Sequence, residues 1–381
     1  VPLDATSATN KNVMRVFGGT HRTNFVTYMQ NYKACTNTPT HDMVQRADQY
    51  MREALHQNGP WADIPGTKLA DAKNNNKPLG CRRNYHILLT DGGWNGTERK
   101  TNPRNFDGSD HTLPDGTPYA ATPQTRLYRD SENYTTIADW AMKSWAEKLQ
   151  DASNLEGMVS PTSDYDAAPA TEIIKNRITN TTATLGKYWN PKYNPADWAH
   201  MVTFTIGFSN DALPKQNYDV NGNAKGAITA PTSMLPYGDD GNLADYANGT
   251  YVWRAQGKDK GHDMWHAALN GRGQFYAVES GDDLKKAFKQ IVKTINTQTK
   301  PDLGSTATSG SNASRTDVGR YIASYVPKDA WKGAVAAETF KTDGTTVPAW
   351  SGKTTADLLD APSFNVANRL ILSWSDKVID P

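Results

Sequence analysis

The chain has 381 residues, with 41 Lys and Arg against 40 Asp and Glu, so its net charge is close to zero. That balance argues against a nucleic-acid-binding surface, and no segment is apolar for long enough to cross a membrane. The length allows one large domain with insertions, or two domains. The sequence begins at Val1 with neither an initiator Met nor a signal-peptide pattern, which indicates a processed or trimmed chain.

Residue usage also bears on where the protein works. Asn, Thr, Gly and aromatic residues are abundant and aliphatic residues are scarce, which is more typical of an exported surface protein than of a cytosolic enzyme. There are two cysteines, Cys35 and Cys81. They could form one disulfide in an oxidising compartment or be two unrelated thiols, because the sequence does not give the distance between them.

Two helices are predicted before the first strand. The apolar residues of the first recur at helical spacing, namely Phe25, Tyr28, Met29 and Tyr32. The second has its apolar face on Met43, Val44, Ala47, Tyr50, Met51 and Ala54. This second helix begins near Thr38, which is a suitable N-cap because Pro39 then occupies the first helical position.

The next segment, residues 84–94, reads Asn-Tyr-His-Ile-Leu-Leu-Thr-Asp-Gly-Gly-Trp. Its apolar run predicts a strand buried in a sheet, which ends before two glycines. In open α/β sheets ligands bind at the carboxyl ends of the strands, and Asp91 would lie at such an end. Its carboxylate suits a hard divalent cation, although an Asp in this position can equally cap the turn and bind only main-chain amides.

Beyond this strand, helices and strands alternate. The predicted elements are a helix over 137–149 capped by Thr135 or Thr136, some helix around 173–178, a strand over 201–207, a short helix over 264–269, a strand over 274–278 and a helix over 284–295. This alternation predicts an α/β fold, with a doubly wound, mainly parallel sheet. Three polar stretches, 97–133, 153–198 and 209–261, are too long for ordinary connections and predict large loop insertions.

The character of the sequence changes after Ile295. Residues 298–318 are rich in Ser, Thr, Gly and Asn and have the composition of a linker. Beyond them, 320–326 and 335–340 read as strands, with Asp343-Gly344 as a turn signal. We therefore expect a first domain over 1–297 and, over 319–381, the start of a further β-rich domain.

Five blocks of sequence point to a known family. They are Thr36–Pro39, Cys81–Gly96, Thr136–Met142, His200–Gly207 and Asp263–Phe275. Together and in this order they resemble the amino-terminal region of the PilC/PilY family of type IV pilus tip adhesins and biogenesis factors. The resemblance runs from about Phe17 to the end of the chain.

The resemblance implies a von Willebrand factor A-like domain up to about Thr297, which a β-propeller follows in full-length members. It also implies export to the cell surface and a place at the pilus tip. There the family works with minor pilins, primes pilus assembly, opposes retraction and touches surfaces or host cells. This is a non-enzymatic role. A secreted von Willebrand A-type binding protein that acts independently of pili is the alternative within the same fold.

Von Willebrand A domains often carry a metal-ion-dependent adhesion site built from three loops. By resemblance, Thr38 matches the second loop and Asp91 the third. The first motif, Asp-x-Ser-x-Ser, occurs nowhere in the sequence. Either the strand before that motif lies upstream of Val1, or Mg²⁺ or Ca²⁺ cannot be held by this partial remnant.

A second functional hypothesis is a metal-dependent hydrolase. His262-Asp263-Met264-Trp265-His266 places two imidazoles one helical turn apart, and Asp91 could join them. A simpler interpretation is that His266 is packed in the core and His262 is exposed. The following residues, 270–273, read as a backbone anion site or as a tight connection in which glycine supplies a positive φ.

The insertions are also rich in aromatic residues, which are Trp94, Tyr119, Tyr128, Trp189, Tyr193, Tyr237 and Trp253. On surface loops such side chains favour recognition of a partner. Alternatively, each one packs inward and anchors its own loop.

Overall fold

The computed structural model describes residues 17–31, 38–56, 59–62, 78–94, 103–176, 180–209, 212–227, 243–254, 260–298, 306–309, 319–326, 332–341 and 345–365. Along these residues no helix combines the length and the apolar character that crossing a membrane requires. The chain forms two compact units, Val1–Gln298 and Thr299–Pro381.

The first unit is built from alternating helices and strands. Its described helices are α1 (Gly19–Asn31), α2 (Thr40–Met51), α3 (Ile137–Ala146), α4 (Ser163–Ala167), α5 (Leu243–Asn248), α6 (Lys260–Asn270) and α7 (Gly281–Gln298). Its described strands are β1 (Asn84–Thr90), β2 (His111–Thr112), β3 (Pro118–Tyr119), β4 (Thr171–Lys175), β5 (Thr182–Gly186), β6 (Met201–Phe208), β7 (Gln216–Tyr218), β8 (Ala224–Ala227) and β9 (Arg272–Val278).

A three-stranded parallel sheet, in the order β1–β6–β9, organises this unit. β1 pairs with β6 from Asn84↔Met201 to Thr90↔Gly207 without a shift in register. Helices α3 and α6 contribute to the apolar core on one face, and α7 packs on the other face. The predicted α/β class and the parallel pairing are therefore confirmed.

Helix α3 is fixed at its first turn by a capping box. Of the two predicted caps, Thr136 is the one used: the main-chain N–H of Asp139 donates to Thr136 Oγ1 at 3.0 Å, and Thr136 N–H donates to Asp139 Oδ2 at 2.8 Å. Nearly every residue of the helix is buried. It ends at Ala146, so Leu149 of the predicted helix lies beyond it.

Helix α2 begins one residue later than predicted. Pro39 is its N-cap rather than its first helical residue, because its ψ of 64° is not helical. No side-chain hydrogen bond caps this end. The prediction that Thr38 caps the helix is therefore wrong; its main-chain oxygen instead accepts a hydrogen bond from Thr40 N–H at 3.0 Å.

Strand β1 is buried on one face, whereas the sequence predicted a fully buried strand. Leu88 is 3% exposed, but Ile87 and Leu89 on the opposite face are 37% and 45% exposed. β1 forms one edge of the three-stranded sheet. The apolar cluster beneath α7 reaches this strand only at Tyr85, so its outer half is left uncovered by the described residues.

The insertions carry short antiparallel pairs, β2–β3, β4–β5 and β7–β8. The predicted helical structure around 173–178 is wrong over 173–175, because β4 pairs there with β5, and residues 177 and 178 lie outside the described part of the chain. Ile173 is 68% exposed and Ile174 only 4% exposed, which is the alternation of a strand. The β-branched residues of this segment favour that conformation.

The second unit is an antiparallel sheet in the order β10 (Thr306–Ser309), β11 (Gly319–Val326), β12 (Lys332–Phe340) and β13 (Thr346–Pro348), with a short helix α8 (Thr355–Leu359). The two predicted strands are confirmed as parts of β11 and β12. β10 lies within the predicted linker 298–318 and pairs with β11, and the division into domains and linker stays a prediction. Asp343-Gly344 falls outside the described residues.

Candidate functional site

The predicted adhesion-site residue Asp91 lies directly after β1 and is exposed. Its Oδ1 accepts a hydrogen bond from Gly93 N–H at 2.9 Å, so the carboxylate caps its own turn. Its main-chain oxygen accepts a hydrogen bond from Ser209 Oγ at 2.7 Å. Ser209 follows β6, so this bond ties together the carboxyl ends of two parallel strands.

The start of α2 neighbours this turn. His41 contacts Trp94 edge to face, with ring centroids 6.1 Å apart, and Trp94 is the last described residue of the turn. Thr38 is half buried just before the helix. Thr40 is 2% exposed, and its Oγ1 has no hydrogen-bond partner in the described part of the chain.

These side chains do not by themselves fit a hard divalent cation. Thr38 and Asp91 offer one hydroxyl and one carboxylate, whereas Mg²⁺ and Ca²⁺ take at least six oxygen ligands. The Lys260 ammonium contacts the main-chain oxygen of Trp94 and lies 4.9 Å from its ring centroid, which brings positive charge to the same turn. Binding of Mg²⁺ or Ca²⁺ at Thr38 and Asp91 stays a prediction.

The predicted disulfide also stays a prediction. Cys81 is exposed and lies shortly before β1. Cys35 lies outside the described residues.

The two histidines of α6 are both buried, at 0% and 1% exposure, so the prediction that His262 is exposed is wrong. His262 Nε2 lies 2.6 Å from the hydroxyl of Tyr246, which belongs to α5. Its Nδ1 lies 3.0 Å from the main-chain nitrogen of Arg254. Residues of the third insertion therefore cover the face of α6 that the sequence pattern assigned to solvent.

His266 faces the first insertion. Its Nε2 lies 3.0 Å from the main-chain oxygen of Tyr128, and the ring of Trp253 stacks on the imidazole with centroids 4.5 Å apart. Its acidic neighbours are Asp107 and Asp130. None of these contacts involves Asp91, so they give no support to a hydrolase site that joins Asp91 to the two histidines.

Asp107, Asp130 and His266 form a compact buried group that no sequence pattern identifies. One ligand atom of each lies within 4.8 Å of the other two. His266 Nε2 is 3.8 Å from Asp107 Oδ2, and His266 Nδ1 is 3.9 Å from Asp130 Oδ2. Two carboxylates and an imidazole in this arrangement could hold a metal ion.

Burial dominates the electrostatics of this group. Loss of hydration, and then the negative charge of neighbouring carboxylates, raises the pKa of Asp107 and of Asp130 well above the usual range. Burial likewise raises the pKa of the adjacent Asp139 to about 6. It lowers the pKa of His266 well below its usual value, which keeps the imidazole neutral. A neutral imidazole is the form that binds metals.

Long-range folding explains why the group is invisible in the sequence. Asp107 and Asp130 lie in the polar insertion 97–133, where carboxylates normally face water. The insertion instead packs on α6: Asn270 Nδ2 donates to Asp107 Oδ2 at 2.8 Å. The spacing of His262 and His266 was the one available signal.

The aromatic residues of the insertions mostly point inward. Four are buried, namely Trp94, Tyr119, Tyr128 and Trp253, and Trp189 and Tyr193 are half buried. Tyr237 lies outside the described residues. For the four buried side chains, the loop-anchoring interpretation is confirmed and the exposed-surface interpretation is wrong.

Comparison with known proteins gives three related matches. The chain is 29% identical over 379 residues to the type IV pilus biogenesis factor PilY1 of Pseudomonas aeruginosa strain PAO1, covering 96% of this chain and 28% of that protein. It is 28% identical over 379 residues to PilY1 of strain PAK, with the same coverage. It is 29% identical over 351 residues to PilY1 of strain UCBPP-PA14, covering 89% of this chain and 26% of that protein.

The chain thus spans between 26% and 28% of the length of these curated relatives. No family model and no solved structure matches it. The matches support a PilY1-like sequence and therefore the resemblance to the PilC/PilY family. The von Willebrand A-like fold stays a prediction.

Proposed function

We propose that this chain is a non-enzymatic part of an exported, PilY1-like protein at the tip of a type IV pilus. In this role it takes part in pilus biogenesis, binds minor pilins and attaches the pilus to a surface or a host cell. The similarity to PilY1 over 96% of the chain carries the proposal. The relatives are named as biogenesis factors, which favours a role in assembly over catalysis.

In this proposal, residues 1–297 are a von Willebrand A-like adhesion domain, and residues 319–381 lead into a propeller-like domain. A parallel sheet with helices on both faces supports the first assignment, because that architecture provides a rigid base for binding loops. The antiparallel sheet of β10 to β13 is consistent with the second.

We place the partner-binding surface at the carboxyl edge of the parallel sheet, around Asp91. The Asp91 carboxylate is exposed, and the hydrogen bond from Ser209 holds its turn in position. A partner that docks there meets polar groups on a rigid scaffold, which limits the entropy lost on binding.

Gene deletion tests the pilus role. We expect the deletion strain to have fewer surface pili and less twitching motility, and the wild-type gene to restore both. A gene carrying Asp91→Ala should restore piliation but not attachment, whereas Asp282→Ala, at an exposed residue of α7, should restore both. A deletion strain with normal pilus number and motility would contradict the proposal.

Labelling with antibodies against this chain separates a tip protein from a secreted one. We expect gold label at one end of sheared pili in electron micrographs. If the protein is found in the medium and never on pili of piliated cells, the pilus-independent alternative is correct.

A further inference from the structure

The buried pair Asp107 and Asp130 poses a charge problem. Their side chains are 0% and 1% exposed, and no Lys or Arg side chain pairs with either within the part of the chain that the structure describes. Asp139 adds a third carboxylate nearby. Taking carboxylates out of water without a compensating cation is strongly unfavourable. Something must neutralise this cluster.

Neutral hydrogen-bond donors orient the two carboxylates but do not balance their charge. Asp107 Oδ1 accepts from the main-chain N–H of Asp130 at 3.4 Å, and Asp130 Oδ1 accepts from the main-chain N–H of Glu132 at 2.9 Å. These bonds leave the Oδ2 atom of each carboxylate directed at the ring of His266, at 3.8 and 3.9 Å. The Asp107 oxygen lies beside Nε2 and the Asp130 oxygen beside Nδ1, so the two carboxylates flank one imidazole.

The orientation of the imidazole is that of a metal ligand. His266 Nε2 lies 3.0 Å from the main-chain oxygen of Tyr128 and can donate its proton there. Nδ1, which faces Asp130, then carries a lone pair. A ring N–H bonded to a main-chain carbonyl is the usual way in which proteins fix a metal-binding histidine.

Asn270 provides an independent sign that the cluster lacks a component. The residue is fully buried, and its Nδ2 donates to Asp107 Oδ2. Its Oδ1 has no hydrogen-bond partner in the described chain. Nδ2 also donates to the main-chain oxygen of Ala138 at 3.4 Å. The unpartnered oxygen is bonded to the same carbon as this nitrogen, so it lies next to the contact with Asp107. Buried acceptors without a donor are rare and call for an unseen ion or water.

We propose that Asp107, Asp130 and His266, with the amide oxygen of Asn270, bind one divalent transition-metal ion, of which Zn²⁺ fits best. One dication balances the two ligand carboxylates, while the nearby Asp139 is not a ligand and accepts hydrogen bonds from the main-chain N–H groups of Thr136 and Asp107. An imidazole ligand favours Zn²⁺ over Mg²⁺ or Ca²⁺. Zinc ligands lie about 2.0–2.2 Å from the ion, so neighbouring ligand atoms are about 3.4 Å apart. His266 Nδ1 and Asp130 Oδ2 are 3.9 Å apart, and one ligand atom of each residue of the group lies within 4.8 Å of the other two, so the carboxylates must move toward the ion when it binds.

The role of such an ion is structural. All of its ligands are buried, and they join the first insertion to α6, two segments that are far apart in the sequence. A cavity of about 450 Å³, whose wall includes Arg129 and Trp253, reaches the neighbourhood of the cluster. Trp253 stacks on His266, and none of the four proposed ligands lines the cavity. The proposal of this metal site does not depend on the proposed function at a pilus.

Metal content and thermal stability test the proposal on the full 381-residue chain. The protein is stripped with a chelator, dialysed and titrated with Zn²⁺, with Ca²⁺ as the comparison ion. We expect one Zn²⁺ per chain by mass spectrometry and a Tm that rises by about 4 °C when free Zn²⁺ is about 100 times Kd. Ca²⁺ should give no comparable rise.

Variants locate the site. His266→Gln and Asp130→Asn should each abolish the Zn²⁺-dependent rise in Tm. His262→Gln is the matched control, because His262 is equally buried on the same helix but bonds to Tyr246; this variant should keep the rise. If the first two variants do not fold, the absorption spectrum of Co²⁺-substituted wild-type protein still reports whether one imidazole and oxygen ligands bind the ion.

Three results would overturn the proposal. The first is a stripped wild-type protein that takes up no Zn²⁺ and has the same Tm in its presence. The second is a His266→Gln protein that Zn²⁺ stabilises as much as wild type, which would put the ion elsewhere. The third is an Asp130→Asn protein at least as stable as wild type, with no response to metal in either protein, which would show that protons neutralise the cluster.

Discussion

The guanidinium of Arg272 lies 4.4 Å from the ring centroid of Trp145. The rings of Tyr128 and Trp189 lie 4.7 and 5.8 Å from the same group, and Arg272 Nη1 donates to the Tyr128 hydroxyl at 2.8 Å. Arg272 is 2% exposed and pairs with no carboxylate among the residues described. Aromatic faces therefore hold a buried positive charge at the start of β9.

Arg272→Lys should lower the free energy of unfolding by about 2 kcal/mol, because an ammonium lacks the plane that stacks on the rings. Urea denaturation measures this change. Arg126→Lys is the control, since Arg126 donates to the main-chain oxygen of Asn248 at the surface; it should change stability by less than about 0.5 kcal/mol. Equal stability of Arg272→Lys and wild type would show that the stacking contributes nothing.

Asp263 stabilises a helix other than its own. Its Oδ2 and Oδ1 accept hydrogen bonds from the main-chain N–H groups of Ile137 and Ala138, each at 3.1 Å. A carboxylate of α6 thus lies at the positive end of the α3 dipole. We expect Asp263→Asn to cost about 2–3 kcal/mol, because the amide nitrogen would face a main-chain donor in the core.

Denaturant curves measure the effect of Asp263→Asn, with Asp283→Asn as the control. Asp283 also lies at a helix start, where Ser280 Oγ donates to it at 2.6 Å, but it faces solvent. Its replacement should change stability far less. Equal losses of stability in the two variants would mean that the contact between α6 and α3 contributes no more to the free energy of unfolding than a solvent-facing helix cap.

Local patterns in the sequence predicted the elements that they encode directly. The apolar runs of β6 and β9 and the helical spacing in α7 fix those elements without reference to the rest of the chain. The pairing of Asp107 with His266 depends on an insertion that folds back over 159 residues, and no period or motif records it. The prediction that His262 is exposed was wrong for the same reason, because the residues that cover it, Tyr246 and Arg254, come from the third insertion.

The connection between α6 and β9 shows a finer limit of sequence analysis. Glycine was expected to supply a positive φ in residues 270–273, yet the positive φ, 57°, belongs to Arg272. The two glycines instead allow the main chain to pass close to Thr203 of β6. A Cβ on Gly271 would lie 2.6 Å from Thr203 Cβ, and one on Gly273 would lie 1.9 Å from Thr203 O.

Gly273→Ala should therefore destabilise the protein by about 3 kcal/mol, because the strand pair β6–β9 must separate to admit the methyl group. Thermal and urea unfolding measure the loss. Gly281→Ala is the matched control: a Cβ there meets no atom within 4 Å, and Gly281 begins α7. It should raise stability by about 0.5 kcal/mol. A Gly273→Ala protein as stable as wild type would contradict the close approach of the two strands.

His200 is buried in its neutral form just before β6. Its Nδ1 can donate to the main-chain oxygen of Trp198 at 2.7 Å, and its Nε2 then accepts from Asn194 Nδ2 at 2.8 Å. Burial, and to a smaller extent the positive charges of Arg83 and Arg272, lower the pKa of His200 to about 4, although the hydrogen bond to Trp198 O opposes the shift. A proton on Nε2 would also meet the amide donor of Asn194.

These contacts predict a loss of stability in acid. In the unfolded chain His200 takes up a proton near pH 6.5, whereas in the folded chain it does so only near pH 4. The contribution of neutral His200 to the free energy of unfolding is therefore complete above pH 6.5 and falls as the pH drops toward 4. The whole loss corresponds to about 3 kcal/mol. Urea curves between pH 4 and 7 should therefore show a smaller pH slope for His200→Gln than for wild type.

Asn194→Asp changes the same contact in the opposite direction, because it should favour protonated His200. A carboxylate can still accept from Trp145 Nε1–H and Ala196 N–H, as the Asn194 Oδ1 does at 3.0 and 3.2 Å, and its other oxygen would face His200 Nε2. The pKa of His200 should then rise, because protonation creates an ion pair in place of a clash between donors. We expect this variant to lose less stability than wild type between pH 6.5 and 4. Parallel curves for wild type, His200→Gln and Asn194→Asp would show that His200 does not set the acid sensitivity of the fold.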